Sequence, residues 1–228
     1  VWQPTVTNVR ALLDSATPIP DASGNGETGS VGSGTPIPQS VGGLHGIRFN
    51  GSASILAPDS ADLRLDRALT LCVWITTDGF RTGAERIVGI LGPAPNSGLG
   101  QNSLLQFGVA NSTFMTLHEY AAGGTNVFWY SDQAPECPGP TLAILTRDSA
   151  GTEYNIYMDG ELVESSGTLG NPPGKDPTPA NNVQRFWWGK SGGDEWVGWS
   201  GGVSLYDFEM TAAQVLEISE FAWSVATP

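Results

Sequence analysis

From His45 onward, short runs of alternating apolar and polar residues recur along the chain, separated by turn residues. The clearest is Tyr154 to Val163, read YNIYMDGELV, in which Tyr154, Ile156 and Met158 alternate with Asn155 and Tyr157. A period of two places one face of a strand on a core. Asp159-Gly160 tolerates positive φ and closes a tight hairpin into the next apolar run. The pattern predicts strands over 46–49, 53–57, 69–76, 86–91, 104–109, 114–118, 127–130, 142–146, 154–158, 161–164, 185–189 and 202–206. Many short strands with turns between them indicate a sandwich or a barrel. One helix is predicted, over 210–223. Thr211 suits its N-cap, and Gln214 holds the capping-box position. Val215, Ile218 and Phe221 recur at helical spacing and would pack one face on the sandwich.

The N-terminal part lacks this rhythm. Trp2 to Leu13 is mildly apolar, and residues 14–43 are rich in Gly, Ser, Pro and Thr, so they read as a long loop. Pro18, Pro20, Pro36 and Pro38 argue against a helix there. No internal repeat or second domain boundary stands out. The expected organisation is one domain over 1–228: a leader and loop over 1–43 lying on one end of the sandwich, the sandwich over 44–209, and the helix.

Composition supports an all-β reading. The 228 residues include 30 Gly and 16 Pro, and only 14% are charged. The net charge is −13, and Lys175 and Lys190 are the only lysines. Phosphate binding needs Lys and Arg, so nucleic acid is excluded as a partner and anionic membrane surfaces are disfavoured. No apolar run reaches transmembrane length. The start at Val1 fits a cleaved signal or a trimmed initiator Met. In the second case the chain would reach its site without classical export, as a virion component does. Cys72 and Cys137 leave two readings open, one disulfide or two unpaired thiols.

Four blocks, in order, carry a family resemblance. The first is Asp21-Ala22-Ser23-Gly24-Asn25-Gly26-Glu27-Thr28-Gly29. The second runs from Gly46-Ile47-Arg48-Phe49-Asn50-Gly51-Ser52 through Pro58 to Leu69-Thr70-Leu71-Cys72-Val73-Trp74-Ile75. Leu142 to Val163, with Tyr157-Met158-Asp159-Gly160, is the third, and Gly198 to Tyr206 with the following helix is the fourth. The chain resembles the laminin-G-like, concanavalin A-like jelly rolls. That resemblance implies an antiparallel β-sandwich with a short C-terminal helix, and a module that binds glycan or protein without doing chemistry. Two departures stand out. Gly201 and Gly202 occupy places where relatives often carry Asp pairs, which weakens an implied cation site between the leading loop and the last strand. Cys137-Pro138-Gly139-Pro140 stands where many relatives have a Trp, which suggests a restructured loop.

Candidate chemistry is sparse. Glycan hydrolases of this fold class place paired carboxylates on one strand, within reach of one bond. No E-x-D-x-x-E pattern occurs, Glu153 and Asp159 read as strand-end and turn residues, and His45 and His118 lack metal-ligand spacing. Calcium is the one candidate ion, with Asp21 and Asn25 as its ligands; the alternative is an Asx-turn without an ion. No other cofactor is expected. Trp187-Trp188 puts adjacent rings on opposite faces, one buried and one exposed or under a loop. Trp196 and Trp199 lie in or beside a Gly-rich stretch, where exposed rings could stack on a sugar while polar neighbours bind its hydroxyls. Trp196, Trp199, Asp194 and Asn126 therefore form the expected glycan site; the alternative for each ring is closing the sandwich end or contacting another subunit. The Pro- and Gly-rich stretches 92–102 and 167–182 are longer than a hairpin needs; the second suits docking onto a neighbouring protein, and the alternative is a variable surface excursion.

The leading expectation is a non-catalytic recognition module on an extracellular or virion surface that binds carbohydrate. The rival is a structural phage virion protein, a capsid decoration or fibre, that contacts other virion proteins or copies of itself. A glycan-cleaving enzyme is third.

Overall fold

The computed structural model describes residues 29–57, 68–77, 84–91, 103–110, 113–118, 127–130, 137, 139–150, 152–167, 185–191 and 194–226. The strands are β1 Ser30–Ser33, β2 Ile37–Val41, β3 Leu44–Asn50, β4 Ser54–Ala57, β5 Leu69–Thr77, β6 Ala84–Leu91, β7 Ser103–Ala110 and β8 Thr113–His118. They continue as β9 Val127–Tyr130, β10 Thr141–Arg147, β11 Tyr154–Met158, β12 Glu161–Ser165, β13 Arg185–Trp188, β14 Lys190–Ser191, β15 Asp194–Glu195 and β16 Val197–Tyr206. One helix, α1, spans Ala212–Ala226.

Two seven-stranded antiparallel sheets form the sandwich. The first has the order β1-β4-β13-β6-β7-β8-β9, and the second β12-β11-β10-β5-β16-β3-β2. β14 and β15 make a small separate ribbon. Every predicted strand is present. The expected loop over 14–43 is corrected at its C-terminal end, where β1 joins the first sheet and β2 the second. Ser, Gly and Pro hid both strands, because edge strands need little apolar content and tolerate Pro38. The rest of the leader, residues 1–28, lies outside the described residues.

The main core lies between the sheets. Ile55, Ala57, Val88, Phe107 and Trp188 come from the first sheet, and Phe49, Leu71, Val73, Leu145 and Ile156 from the second. A smaller cluster covers the other face of the second sheet, where Cys72, Trp74, Ile144, Tyr157 and Trp199 meet Met210 and Val215. β5 is thus buried on both faces, which explains its near-continuous apolar run LTLCVWI. Cys72 belongs to the outer cluster and Cys137 to the inter-sheet core. Both are free thiols, so the disulfide reading falls.

Asp159 (φ 49°) and Gly160 (φ 91°) close the β11–β12 hairpin with the positive φ values that Asp-Gly favours. α1 rests on that turn: a Cβ at Gly160 would stand 3.1 Å from Leu216 Cδ1 and 3.3 Å from Ser219 Cβ. The chain reaches the helix through a strap fixed by buried Thr70. Its Oγ1 donates to the Phe208 carbonyl (2.8 Å) and accepts from the Met210 N–H (2.9 Å).

The capping box forms as predicted. The Gln214 N–H donates to Thr211 Oγ1 (3.3 Å), and Gln214 Oε1 accepts from the Thr211 N–H (2.9 Å). Thr211→Ala is expected to cost about 1 kcal/mol. That should lower Tm by roughly 2–4 °C, with faster amide exchange in the first turn of α1. Unchanged exchange there would show that packing alone holds the helix end. The predicted apolar face needs one correction. Val215 and Ser219 are buried, but Phe221 is 66% exposed. Each step of three residues lags the 3.6-residue turn by about 60°, so Phe221 has rotated off the contact line that Val215 and Ser219 define.

Candidate functional site

The residues expected to stack on a sugar are not on the surface. Trp196 is 1% exposed and Trp199 is fully buried. They sit just before and within β16, a ten-residue strand, where the sequence suggested a Gly-rich loop. The glycines are seats for the rings. A Cβ at Gly198 would lie 2.7 Å from the Trp196 ring, and one at Gly201 would lie 2.7 Å from Trp74 Cβ and 3.0 Å from Trp199. A Cβ at Gly46 would overlap the Trp199 indole. Trp199 Nε1 donates to the Gln39 carbonyl (2.8 Å), which ties β16 to the edge strand β2. The stacking role is therefore corrected for both rings. Asp194 is in β15, opposite Ser191. Asn126, Asp21 and Asn25 lie outside the described residues, as does the calcium site assigned to the last two. Among the described residues, no group of three His, Cys, Asp or Glu side chains could hold a metal ion.

Asp159 and Asp148 shape turns at opposite ends of β10. Asp159 Oδ1 accepts from the Leu142 N–H (2.9 Å), and the Asp159 N–H donates to the Leu142 carbonyl (2.9 Å). Asp148 Oδ1 accepts from the N–H groups of Thr152 (2.6 Å) and Glu153 (2.9 Å). Burial pushes the Asp148 carboxyl up, but hydrogen bonds from Glu153, Thr152 and Ala150 outweigh it, and its net direction is below the usual carboxylate range. Glu209 moves the other way, raised by burial first and then by the charges of Asp148 and Glu153. Opposite shifts are what an acid–base pair needs. Here, however, Asp148 spends both oxygens inside its own loop, with Thr152 Oγ1 donating to Oδ2 (3.1 Å).

The first sheet presents a different surface. Trp188 is fully buried, and its Nε1 donates to Ser200 Oγ (2.8 Å), which donates onward to the Trp74 carbonyl (2.9 Å). Alternation then sets Trp187 on the outer face. The sequence foresaw this split between adjacent tryptophans without saying which ring was outside. Trp187 is half-buried, and among the tryptophans whose side chains are described it alone is not buried. Its Nε1 is shielded from solvent and makes no hydrogen bond, an arrangement that costs about 1–3 kcal/mol. In register, Trp187 stands between Leu56 on β4 and Gly89 on β6, and Gly89 pairs with Gln106 on β7.

The family model for the concanavalin A-like lectin/glucanase superfamily matches residues 49–216. The chain belongs to that superfamily. Solved structures share the superfamily fold at low identity. The binding domain of botulinum neurotoxin DC, in complex with rat synaptotagmin II, is 9% identical with a TM-score of 0.67, over 97% of this chain and 51% of that one. The binding domain of Paraclostridial mosquitocidal protein 1 is 14% identical with a TM-score of 0.65, over 90% and 50%. Trypanosoma rangeli sialidase, in complex with the inhibitor DANA, is 17% identical with a TM-score of 0.62, over 89% and 30%. The chain spans about half the length of the two toxin domains. No curated protein sequence matches it.

Proposed function

We propose that this chain is a non-catalytic recognition module that binds a glycan on an extracellular surface. The superfamily holds both lectins and glucanases, and the described carboxylates support the first. The observation that carries the reading is that Asp148 accepts from N–H groups of its own loop, Asp159 accepts from the Leu142 N–H, and the two lie at opposite ends of β10. A glycosidase instead needs two carboxyl groups facing one bond. The net charge of −13 further disfavours polyanionic partners. Two of the similar solved structures are binding domains, one of them in complex with the protein synaptotagmin II, which supports a binding role and keeps a surface protein as the alternative partner.

The test is an array of immobilised neutral and sialylated oligosaccharides, probed with the folded chain in calcium and again in chelator. Specific binding without release of reducing ends is the expected result. Loss with chelator would support the calcium ligands Asp21 and Asn25. No binding by a protein that melts cooperatively would overturn the glycan reading, and co-sedimentation with virions would then favour the structural alternative.

A further inference from the structure

We propose that Asn50 is an acceptor site for an N-linked glycan, carried by the turn that joins β3 to β4. This inference rests on the extracellular placement above and adds a modification of the chain itself, separate from any glycan that it binds.

The sequence supplies the motif. Asn50-Gly51-Ser52 fits Asn-x-Ser/Thr with no proline in the middle. Glycosylation adds a bulky, hydrated group to the amide nitrogen, so the motif can be used only on an open surface. Asn50 ends β3 and is exposed, and Ser52 is exposed as well. Phe49 is fully buried between the sheets, so alternation sets Asn50 on the opposite face.

The hydrogen bonds distinguish the two ends of the amide. Asn50 Oδ1 accepts twice from Ser52, from its N–H (3.1 Å) and from its Oγ (2.8 Å). Both bonds draw electron density toward the oxygen, which makes the Nδ2 protons more acidic. Nδ2 itself makes no hydrogen bond among the described residues. A turn alone does not account for this side chain, because aspartate closes such turns as well. Nor does the backbone call for asparagine, since the positive φ falls on Gly51 (81°). The turn employs the oxygen, and the acceptor reaction would employ the nitrogen. The turn is also fixed at its base. The Gly51 N–H donates to the Trp196 carbonyl (3.1 Å), and the Ser52 carbonyl accepts from Ser33 Oγ (3.1 Å).

The reaction is a substitution at the sugar. Nδ2 bonds to the anomeric carbon of a lipid-linked pyrophosphate oligosaccharide, and the bond from that carbon to the pyrophosphate oxygen breaks. The pyrophosphate leaves with the bonding pair, Nδ2 loses one proton, and nothing is oxidised or reduced. An oligosaccharyltransferase of the exporting cell supplies the catalysis.

The experiment secretes the whole chain from a cell that performs N-glycosylation and reads position 50 by peptide mass mapping. Enzymatic removal of the glycan in heavy-oxygen water should leave a labelled aspartate there. Asn50→Gln and Ser52→Ala should each lose that glycan, while Ser52→Thr should keep it. Both positions are exposed, and a cooperative melt of each variant separates loss of the acceptor from misfolding. Asn111→Gln should leave position 50 modified, because Asn111-Ser112-Thr113 is a separate match to the motif. Unmodified Asn50 in the secreted, folded chain would overturn this site, as would a glycan that survives Ser52→Ala. Array binding by that unmodified chain would leave the recognition reading standing. A chain glycosylated at Asn50 that binds nothing on the array would instead overturn the recognition reading alone.

Discussion

Replacing Gly189 with alanine is expected to cost about 4 kcal/mol, near the upper end for single substitutions. Gly189 follows β13 at φ 86°, and a Cβ there would overlap the Phe49 ring. Two penalties combine. An L side chain at that φ costs roughly 1–2 kcal/mol. Phe49 cannot yield cheaply, because it is fully buried and packs on Trp188 with ring centroids 5.6 Å apart. The Gly189 backbone is held as well, since its N–H donates to the Ile87 carbonyl (2.8 Å) and its carbonyl accepts from the Trp196 N–H (2.9 Å). For a chain of this size the change should lower Tm by roughly 10 °C. Two other glycines calibrate the result. Gly167 has φ 58° with open space around its Cβ position, so Gly167→Ala should cost only the backbone strain, about 1 kcal/mol. At Gly139 there is no contact within 4 Å, and alanine should be neutral to within about 0.5 kcal/mol. Thermal melts of the three variants test the order. A Gly189→Ala protein as stable as Gly139→Ala would show that the Phe49 contact does not constrain this turn.

Those glycines also explain what the sequence could reveal. Strands and the helix start were legible because they depend on local patterns: period two at Tyr154, Ile156 and Met158, Asp-Gly at the hairpin, and Thr211 with Gln214 at the cap. The candidate site was not legible, because it depends on what each glycine faces across the sandwich. Around Trp196 and Trp199 the glycine-rich composition resembles a surface loop, whereas Gly198 and Gly201 are places where an indole lies directly on backbone. An Asp at position 201 would collide with Trp74 and Trp199, so Gly201 is explained by packing. That Trp188 rather than Trp187 is the buried ring needed the hydrogen bond of Trp188 to Ser200, which joins two strands. The strands β1 and β2 were hidden for a related reason, since their pairing partners supply the burial that their own residues lack.

Alkaline destabilisation between pH 9 and 11 is expected from the two thiols. Burial pushes Cys72 up from 9.0 to about 12. Burial also pushes Cys137 up to about 11, where a hydrogen bond with Thr141 opposes the shift and the Asp159 charge adds to it. Above pH 9 the unfolded chain releases these protons while the folded chain keeps them. The folded state then binds more protons, and stability falls as pH rises. Below pH 9 the contribution is fully present, and it is lost progressively as pH climbs through the folded-state values. With two protons at stake, the slope should approach about 2.7 kcal/mol per pH unit near pH 10. Tyr154 and Tyr157, both raised chiefly by burial, steepen the loss at still higher pH. Urea unfolding at pH 7.5, 9 and 10 measures the slope, and the Cys72→Ala, Cys137→Ala double variant should flatten it over that range. Iodoacetamide provides a second readout: the folded chain should resist alkylation at pH 8, and the unfolded chain should take two adducts. Rapid alkylation of the folded protein would contradict the burial that produces the shift. An unchanged slope in the double variant would assign the alkaline loss to the tyrosines alone.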